Sequence, residues 1–220
     1  MNHRERRKLK IIEEIVNSVT HGVGLGLAIT GLVVLVTLSA LYSSPWAVVG
    51  SSIYGATLVI LYSASTVYHS LKKGRAKRFF RILDHVSIYL LIAGTYTPLT
   101  LVNLRGAWGW TLFGVIWGLA FLGIFLKTTL GHRIRVLSPI LYLIMGWLAV
   151  VALHPLMLTV PHPGLVLLFA GGAAYTAGVI FFALDTKVPY FHGIWHLFVL
   201  AGSVLHFFAI MVAILPHGAL

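Results

Sequence analysis

The stretch that decides the fold is residues 191–215, FHGIWHLFVLAGSVLHFFAIMVAIL. It contains no Asp, Glu, Lys or Arg, and it exceeds the roughly 20 apolar residues that a helix needs to cross a bilayer. Two histidines, His192 and His196, stand near its start, four residues apart and therefore on one helical face. Ionisable side chains are costly beside the hydrocarbon region, so this pair marks a candidate site.

Six more apolar segments precede this one and are joined to it and to each other by short loops. Hydrophobic residues make up 59% of the chain and charged residues 10%, which leaves too little polar surface for a soluble globule. The sequence predicts an all-α membrane protein, a seven-transmembrane helix bundle forming a single domain over residues 1–220, in which residues 1–19 precede the first span. The predicted spans are residues 20–42, 47–71, 83–102, 108–127, 137–153, 165–184 and 191–215.

The basic residues predict the orientation of the bundle. With seven spans, all but one of the 16 Lys and Arg residues fall on the same side, and the exception is Arg105. The positive-inside rule makes that side cytoplasmic, so we expect the amino terminus inside, the carboxyl terminus outside, and a multi-pass location in the cell membrane.

The formal charge of +11 needs no nucleic acid to explain it. Basic residues next to the spans are topology determinants that contact anionic lipids of the inner leaflet. We therefore expect no nucleic-acid partner. Cys is absent, so any transition-metal site must use His, carboxylate and water.

Polar residues recur at the cytoplasmic ends of four predicted spans. Glu14, Asn17 and His21 share a helical face at the first span. The second span ends with Ser65 and His69, the third begins with Asp84 and His85, and the seventh begins with His192 and His196. These residues, remote in sequence, are predicted to meet at one depth.

Imidazoles and a carboxylate without sulfur suit Zn²⁺ first, while Fe, Mn and Ni are harder to exclude. We predict His69, His192 and His196 as the ligands, which leaves one position for water. Asp84 would either complete the coordination shell or hold that water and move its proton. Ser65 could bond a water or a substrate oxygen, and Asn17 and His21 would orient a ligand.

Simpler interpretations compete with this one. His21, His85 or His206 alone could be an ordinary helix-to-helix hydrogen-bonding residue. Asp84 could pair with Arg81. His206 lies about 20 Å deeper than His192 by helical rise, too far for the same coordination sphere, and could line a cavity or bond another helix.

Two pairs of small residues predict close helix packing. Gly22 and Gly26 are four residues apart, as are Gly114 and Gly118, and this spacing lets helix backbones approach each other.

The chain resembles the hemolysin III proteins of the progestin and adiponectin receptor superfamily over nearly its whole length. The matching blocks are residues 13–21 (EEIVNSVTH), Ser65 with His69, Asp84-His85 with residues 96–98 (YTP), and residues 192–196 (HGIWH) continuing to His206. The resemblance implies a seven-helix bundle with an inward amino terminus. It also implies zinc held at His69, His192 and His196, with Asp84 close by through water.

Two classes of function follow. Wider superfamily members suggest a zinc-dependent hydrolase of lipid amides or esters near the inner leaflet, with a membrane lipid as substrate and a role in membrane homeostasis. The alternative is a non-enzymatic sensor, or a cytolysin of the hemolysin III type, in which the metal clamps helices together. The chain lacks the long amino-terminal region of the adiponectin receptors, so hormone signalling does not transfer.

Overall fold

The computed structural model describes residues 3–131 and 137–215, and these two ranges contain helices and turns but no strand. Arg133 and Arg135, which were assigned to a cytoplasmic loop, lie outside them. The helices of the described ranges are α1 (His3–Tyr42), α2 (Pro45–Ser70), α3 (Arg75–Pro98), α4 (Ala107–Leu130), α5 (Leu137–Trp147), α6 (Leu153–Thr159), α7 (His162–Leu184) and α8 (Phe191–Ile214).

Six of these helices are long and apolar enough to cross a membrane, and the bent pair of α5 and α6 would make a seventh crossing. The prediction of an all-α, multi-pass membrane protein is therefore confirmed. The start of α2 follows ordinary capping chemistry: Ser44 accepts a hydrogen bond from the Ala47 N–H at 3.2 Å, and Pro45 occupies the first turn of the helix.

The fifth span differs from the single helix predicted over residues 137–153. α5 ends at Trp147, a 3₁₀ turn covers Leu148–Val150, and α6 continues at an angle of 56°. The Tyr96 hydroxyl of α3 compensates the break, because it accepts from the Ala149 N–H at 2.7 Å and lies 2.8 Å from the Gly146 carbonyl oxygen. A neighbouring helix thus satisfies the backbone groups that the break releases.

The bent pair still runs the length of the bundle. Near its start, the Tyr142 hydroxyl donates to the His85 carbonyl at 2.8 Å. At its end, the Asn103 amide donates to the Thr159 carbonyl at 3.1 Å, and Asn103 lies beyond the opposite end of α3. α5 and α6 together therefore return the chain from the end of α4 to the start of α7, as one span would.

Close helix packing occurs at glycines other than those predicted. A Cβ on Gly26, Gly114 or Gly118 would meet no atom within 4 Å, and one on Gly22 would make only an ordinary contact with Thr66. A Cβ on Gly50 would instead lie 2.7 Å from Cα of Pro98, where α2 meets α3. The four-residue spacing was misleading because it identifies small residues but not the face that a neighbouring helix covers.

Four helices present polar side chains at one end of the bundle, which we call the histidine end and define by Asn17 of α1, His69 of α2, Asp84 of α3 and His192 of α8. All but His192 are less than 10% exposed. The first halves of α1 and α3, the end of α2 and the start of α8 therefore converge on one polar cluster.

Candidate metal centre

Three histidines form the centre of this cluster. His69 lies in the last turn of α2, whereas His192 and His196 lie in the first turns of α8. One ligand atom of each lies within 4.8 Å of the others, and no other described His or carboxylate joins a group of this kind. Adjacent rings are 4.7 to 5.1 Å apart between centroids. This arrangement suits a single metal ion.

The Nδ1 atoms of all three rings face hydrogen-bond acceptors. His69 Nδ1 lies 2.9 Å from Oε2 of Glu14, and His192 Nδ1 lies 3.0 Å from Oδ2 of Asp185. His196 Nδ1 lies 3.2 Å from the main-chain oxygen of Asn17. Carboxylate and carbonyl oxygens only accept, so each Nδ1 carries the hydrogen and each Nε2 of the neutral ring has a free lone pair.

The surroundings of the Nε2 atoms indicate whether a metal ion fits between the rings. Those of His69 and His192 are buried and have no hydrogen-bond partner within the described parts of the chain. A ligating histidine characteristically donates its other N–H to a carboxylate or carbonyl, as these rings do. With three nitrogen donors and no sulfur, the residues fit Zn²⁺ and leave a fourth position open.

His21 and Asn17, which were predicted to orient a ligand, both lie beside His196. The His21 ring stacks on His196 with a centroid distance of 3.5 Å, and both His21 nitrogens are buried without a partner among the described residues. Asn17 contacts His196 through its main-chain oxygen. Its side chain oxygen would lie 3.2 Å from a Cβ on Gly193, so α1 and α8 are closely packed here.

Asp84 and Ser65 occupy the surroundings of the three histidines. Asp84 is 9% exposed and lines the cavity described below, with Oδ2 3.5 Å from Nδ1 of His85. It does not belong to the group whose ligand atoms lie within 4.8 Å. Ser65 is fully buried one turn from His69, and its hydroxyl has no partner in the described ranges.

Two carboxylates were not assigned their roles from the sequence. Glu14 was placed on the correct face of α1 but not against His69, and its other oxygen accepts from Lys77 Nζ at 2.7 Å. Asp185 was not identified. The only signal for it is its position just before the short connection to α8, from which a carboxylate can turn back towards His192.

An elongated cavity begins at the histidine end, and its space amounts to about 1230 Å³ when the adjoining open solvent is counted. Asp84, His192 and His196 line one end, and apolar side chains of α3, α5, α7 and α8 line most of its length. His206 lines the cavity about 15 Å further along α8, at 1.5 Å per residue.

The sequence over residues 9–207 matches the model of the family described as "Haemolysin-III related". This range contains every residue of the histidine cluster. The chain belongs to the haemolysin-III related family. It is 46% identical to "Hemolysin-3" of Bacillus cereus over 207 residues, 94% of each chain.

Two further relatives of this haemolysin-III family protein cover similar lengths. "Hemolysin-3 homolog" of Bacillus subtilis (strain 168) is 44% identical over 201 residues, 91% of this chain and 94% of the relative. "Monocyte to macrophage differentiation factor" of Homo sapiens is 32% identical over 219 residues, 96% of this chain and 90% of the relative. The resemblance inferred from the motif blocks is confirmed.

In this haemolysin-III family protein, the centre combines three features. Three oriented imidazoles present free lone pairs, a buried carboxylate stands nearby, and an apolar cavity opens from the same place. Such an arrangement can hold a cation and position a molecule with a polar head and an apolar body against it.

Proposed function

We propose that this membrane protein is a metal-dependent hydrolase that cleaves an amide or ester bond of a membrane lipid. The observation that carries the proposal is the placement of the three-histidine group at one end of an apolar cavity, which His192 and His196 line together with Asp84. A purely structural metal clamp would not need an apolar cavity beside it.

His69, His192 and His196 would hold the ion, and Zn²⁺ is the metal that three neutral imidazoles without sulfur suit best. When bound, Zn²⁺ supplies Lewis-acid polarisation of a carbonyl and makes water more acidic. The three rings are held before binding by Glu14, Asp185 and the Asn17 carbonyl, so little reorganisation is needed to bind the ion.

Asp84 is the proposed proton carrier. Its carboxylate would take a proton from the attacking water and deliver it to the leaving nitrogen or oxygen as the bond to the carbonyl carbon breaks. The Ser65 hydroxyl has hydrogen-bonding capacity left for a water or a substrate oxygen. Asp84 acts here as an acid and base rather than as a ligand, in line with its position outside the three-histidine group.

The cavity would hold the acyl chain of the substrate. Its apolar lining suits an acyl chain that leaves the equally apolar bilayer, whereas a small polar amide would lose hydrogen bonds that the lining does not replace. If the histidine end is cytoplasmic, as the basic loops predict, the scissile bond would lie near the inner leaflet, where Lys and Arg attract anionic lipids. The product would change membrane lipid composition.

The test combines metal analysis with lipid analysis of purified protein and of cells. We expect about one zinc per wild-type chain, as for a single mononuclear site, and none in the His192→Ala/His196→Ala double variant. Asp84→Ala should keep its metal and lose lipid turnover, so cells carrying it should accumulate the same lipid as cells without the protein. Equal metal in the wild type and the double variant, or unchanged turnover with Asp84→Ala, would contradict the proposal.

The names of the bacterial relatives favour cytolysis as a second candidate function. In that case the metal would join α2 and α8, and lysis of red cells would not depend on Asp84. Lysis that is equal for wild type and Asp84→Ala, together with an unchanged lipid profile, would support this alternative.

A further inference from the structure

His206 lines the same cavity but plays no part in the metal centre. It lies ten residues after His196 on α8, a rise of about 15 Å along the helix. Its Nε2 lies 3.0 Å from the carbonyl oxygen of Leu168 on α7. The carbonyl only accepts, so Nε2 carries the hydrogen and Nδ1 of the neutral ring is an acceptor.

The packing of the ring shows which of its edges lies against α7 and which lies away from it. A Cβ on Gly171 of α7 would overlap Cδ2 of His206 and lie 2.5 Å from its Nε2, so this edge is pressed against the α7 backbone. Nδ1 belongs to the opposite edge of the ring, away from Gly171. It is buried and has no hydrogen-bond partner in the described ranges.

The hydroxyl groups near His206 in the cavity wall already have partners. Thr95 donates to the Leu91 carbonyl at 2.8 Å, and Tyr175 pairs with the Ser203 hydroxyl at 2.8 Å. Tyr96 is engaged with the backbone of α5 and of the turn that follows it. The hydroxyl hydrogens of Thr95 and Tyr96 are therefore directed to backbone carbonyls, so neither group donates to Nδ1 of His206.

Resting on the proposed function, we infer that His206 Nδ1 is a second ligand contact, which accepts a hydrogen bond from a hydroxyl group carried on the acyl chain of the ligand. The rise along α8 from His196 to His206 is about 15 Å, and an extended chain advances about 1.2 Å per bond. With the carbonyl end at the histidine cluster, the hydroxyl would therefore lie roughly twelve carbons along the chain. The cavity would therefore select hydroxylated acyl chains over plain ones. A plain chain would leave Nδ1 unpaired, as it is without a ligand, whereas a hydroxyl would supply the missing hydrogen bond.

The experiment compares two probes on the metal-loaded protein by calorimetry in one detergent: octadecanoic acid and its analogue with a hydroxyl on the twelfth carbon. We expect wild type to bind the hydroxy acid about fivefold more tightly, the value of one ordinary hydrogen bond. His206→Phe keeps a ring but no acceptor, so the preference should disappear. Thr95→Val is the matched control, because it removes a cavity hydroxyl that is already bonded and should keep the preference.

Different binding results would contradict the proposed function and the present inference. Binding of neither acid by wild type would overturn the proposed function and this inference with it. Equal binding of both acids by wild type, or a preference that survives in His206→Phe, would overturn the inference alone. If His206→Phe does not fold, a third probe tests the contact on wild type: octadecanoic acid with its hydroxyl on the sixth carbon. This isomer should bind no better than the plain acid. Equal affinity of wild type for the two hydroxy isomers would reject the contact.

Discussion

Each histidine of the triad is oriented by a bond at its second nitrogen. Glu14 and Asp185 approach the Nδ1 atoms of His69 and His192 at 2.9 and 3.0 Å. A carboxylate in this position fixes the tautomer and ring orientation and makes Nε2 a stronger donor to a metal. Lys77 in turn holds Glu14, so the orientation of His69 depends on a chain of three residues from α1, α2 and α3.

Replacing either carboxylate by its amide should weaken metal binding without removing a ligand. For Glu14→Gln and for Asp185→Asn we expect zinc affinity to fall by about tenfold or more, the usual effect of losing such a partner. The measurement is competition for Zn²⁺ against a chelator of known affinity. Glu5→Gln, an equal charge change at an exposed position of the same helix as Glu14, is the control. Zinc affinity equal to wild type in both amide variants would show that the carboxylates do not support ligation.

The helices differ in how closely they approach their neighbours. α2 and α3 are in close contact at Gly50, whose missing side chain lets Pro98 lie against the α2 backbone. The contact lies about 28 Å from His69 along α2 by helical rise, so it stabilises the packing of α2 on α3 rather than the histidine end itself. Gly26 of α1 has open space where a Cβ would lie.

These two glycines form a matched pair for mutation. Gly50→Ala should destabilise the protein by about 1 to 3 kcal/mol, because Cα of Pro98 cannot move without shifting α3. Gly26→Ala should leave stability unchanged or raise it by up to about 1 kcal/mol, since alanine is the better helix former. Thermal unfolding in detergent measures both. A Gly50→Ala variant as stable as Gly26→Ala would mean that α2 and α3 are less closely packed than described.

For the whole molecule, the positions of the helix ends predict which loops lie on the same side of the membrane. Asp185 and His69 both lie at the histidine end. Lys187 follows Asp185 closely in the sequence, and Lys73 follows His69 closely. Arg105 lies beyond the other end of α3. With α5 and α6 acting as one crossing, Lys73 and Lys187 should face the cytoplasm and Arg105 the outside, as the positive-inside rule requires.

The absence of cysteine makes this arrangement directly measurable. Single cysteines at Lys73, Arg105 and Lys187 each replace an exposed loop residue in a background without other thiols. In intact cells, an impermeant maleimide should label only the Arg105→Cys variant, and permeabilised cells should show all three. Labelling of Arg105→Cys and Lys187→Cys from the same side would mean that α5 and α6 re-enter the membrane without crossing it.

Local rules were sufficient for much of the architecture. Apolar stretches of bilayer length such as residues 191–215 can only become helices in a membrane, because every backbone group must be bonded within its own segment. Periodicity also placed Asn17 with His21, Ser65 with His69 and His192 with His196 on shared faces. The break after Trp147 was not predictable, because its backbone groups are satisfied by Tyr96, a residue about 50 positions away.

The sequence by itself determined the class, the apolar stretches long enough to cross a membrane and the choice of three histidines as candidate ligands, since hydropathy, helical spacing and side-chain chemistry are properties of short segments. Only the tertiary structure decided that Glu14 and Asp185 orient two of those rings, that Gly50 rather than Gly26 is a close helix contact, and that His206 shares a cavity with the metal centre. These depend on which faces of separate helices meet. That choice is made by packing across the whole bundle, and no single segment encodes it.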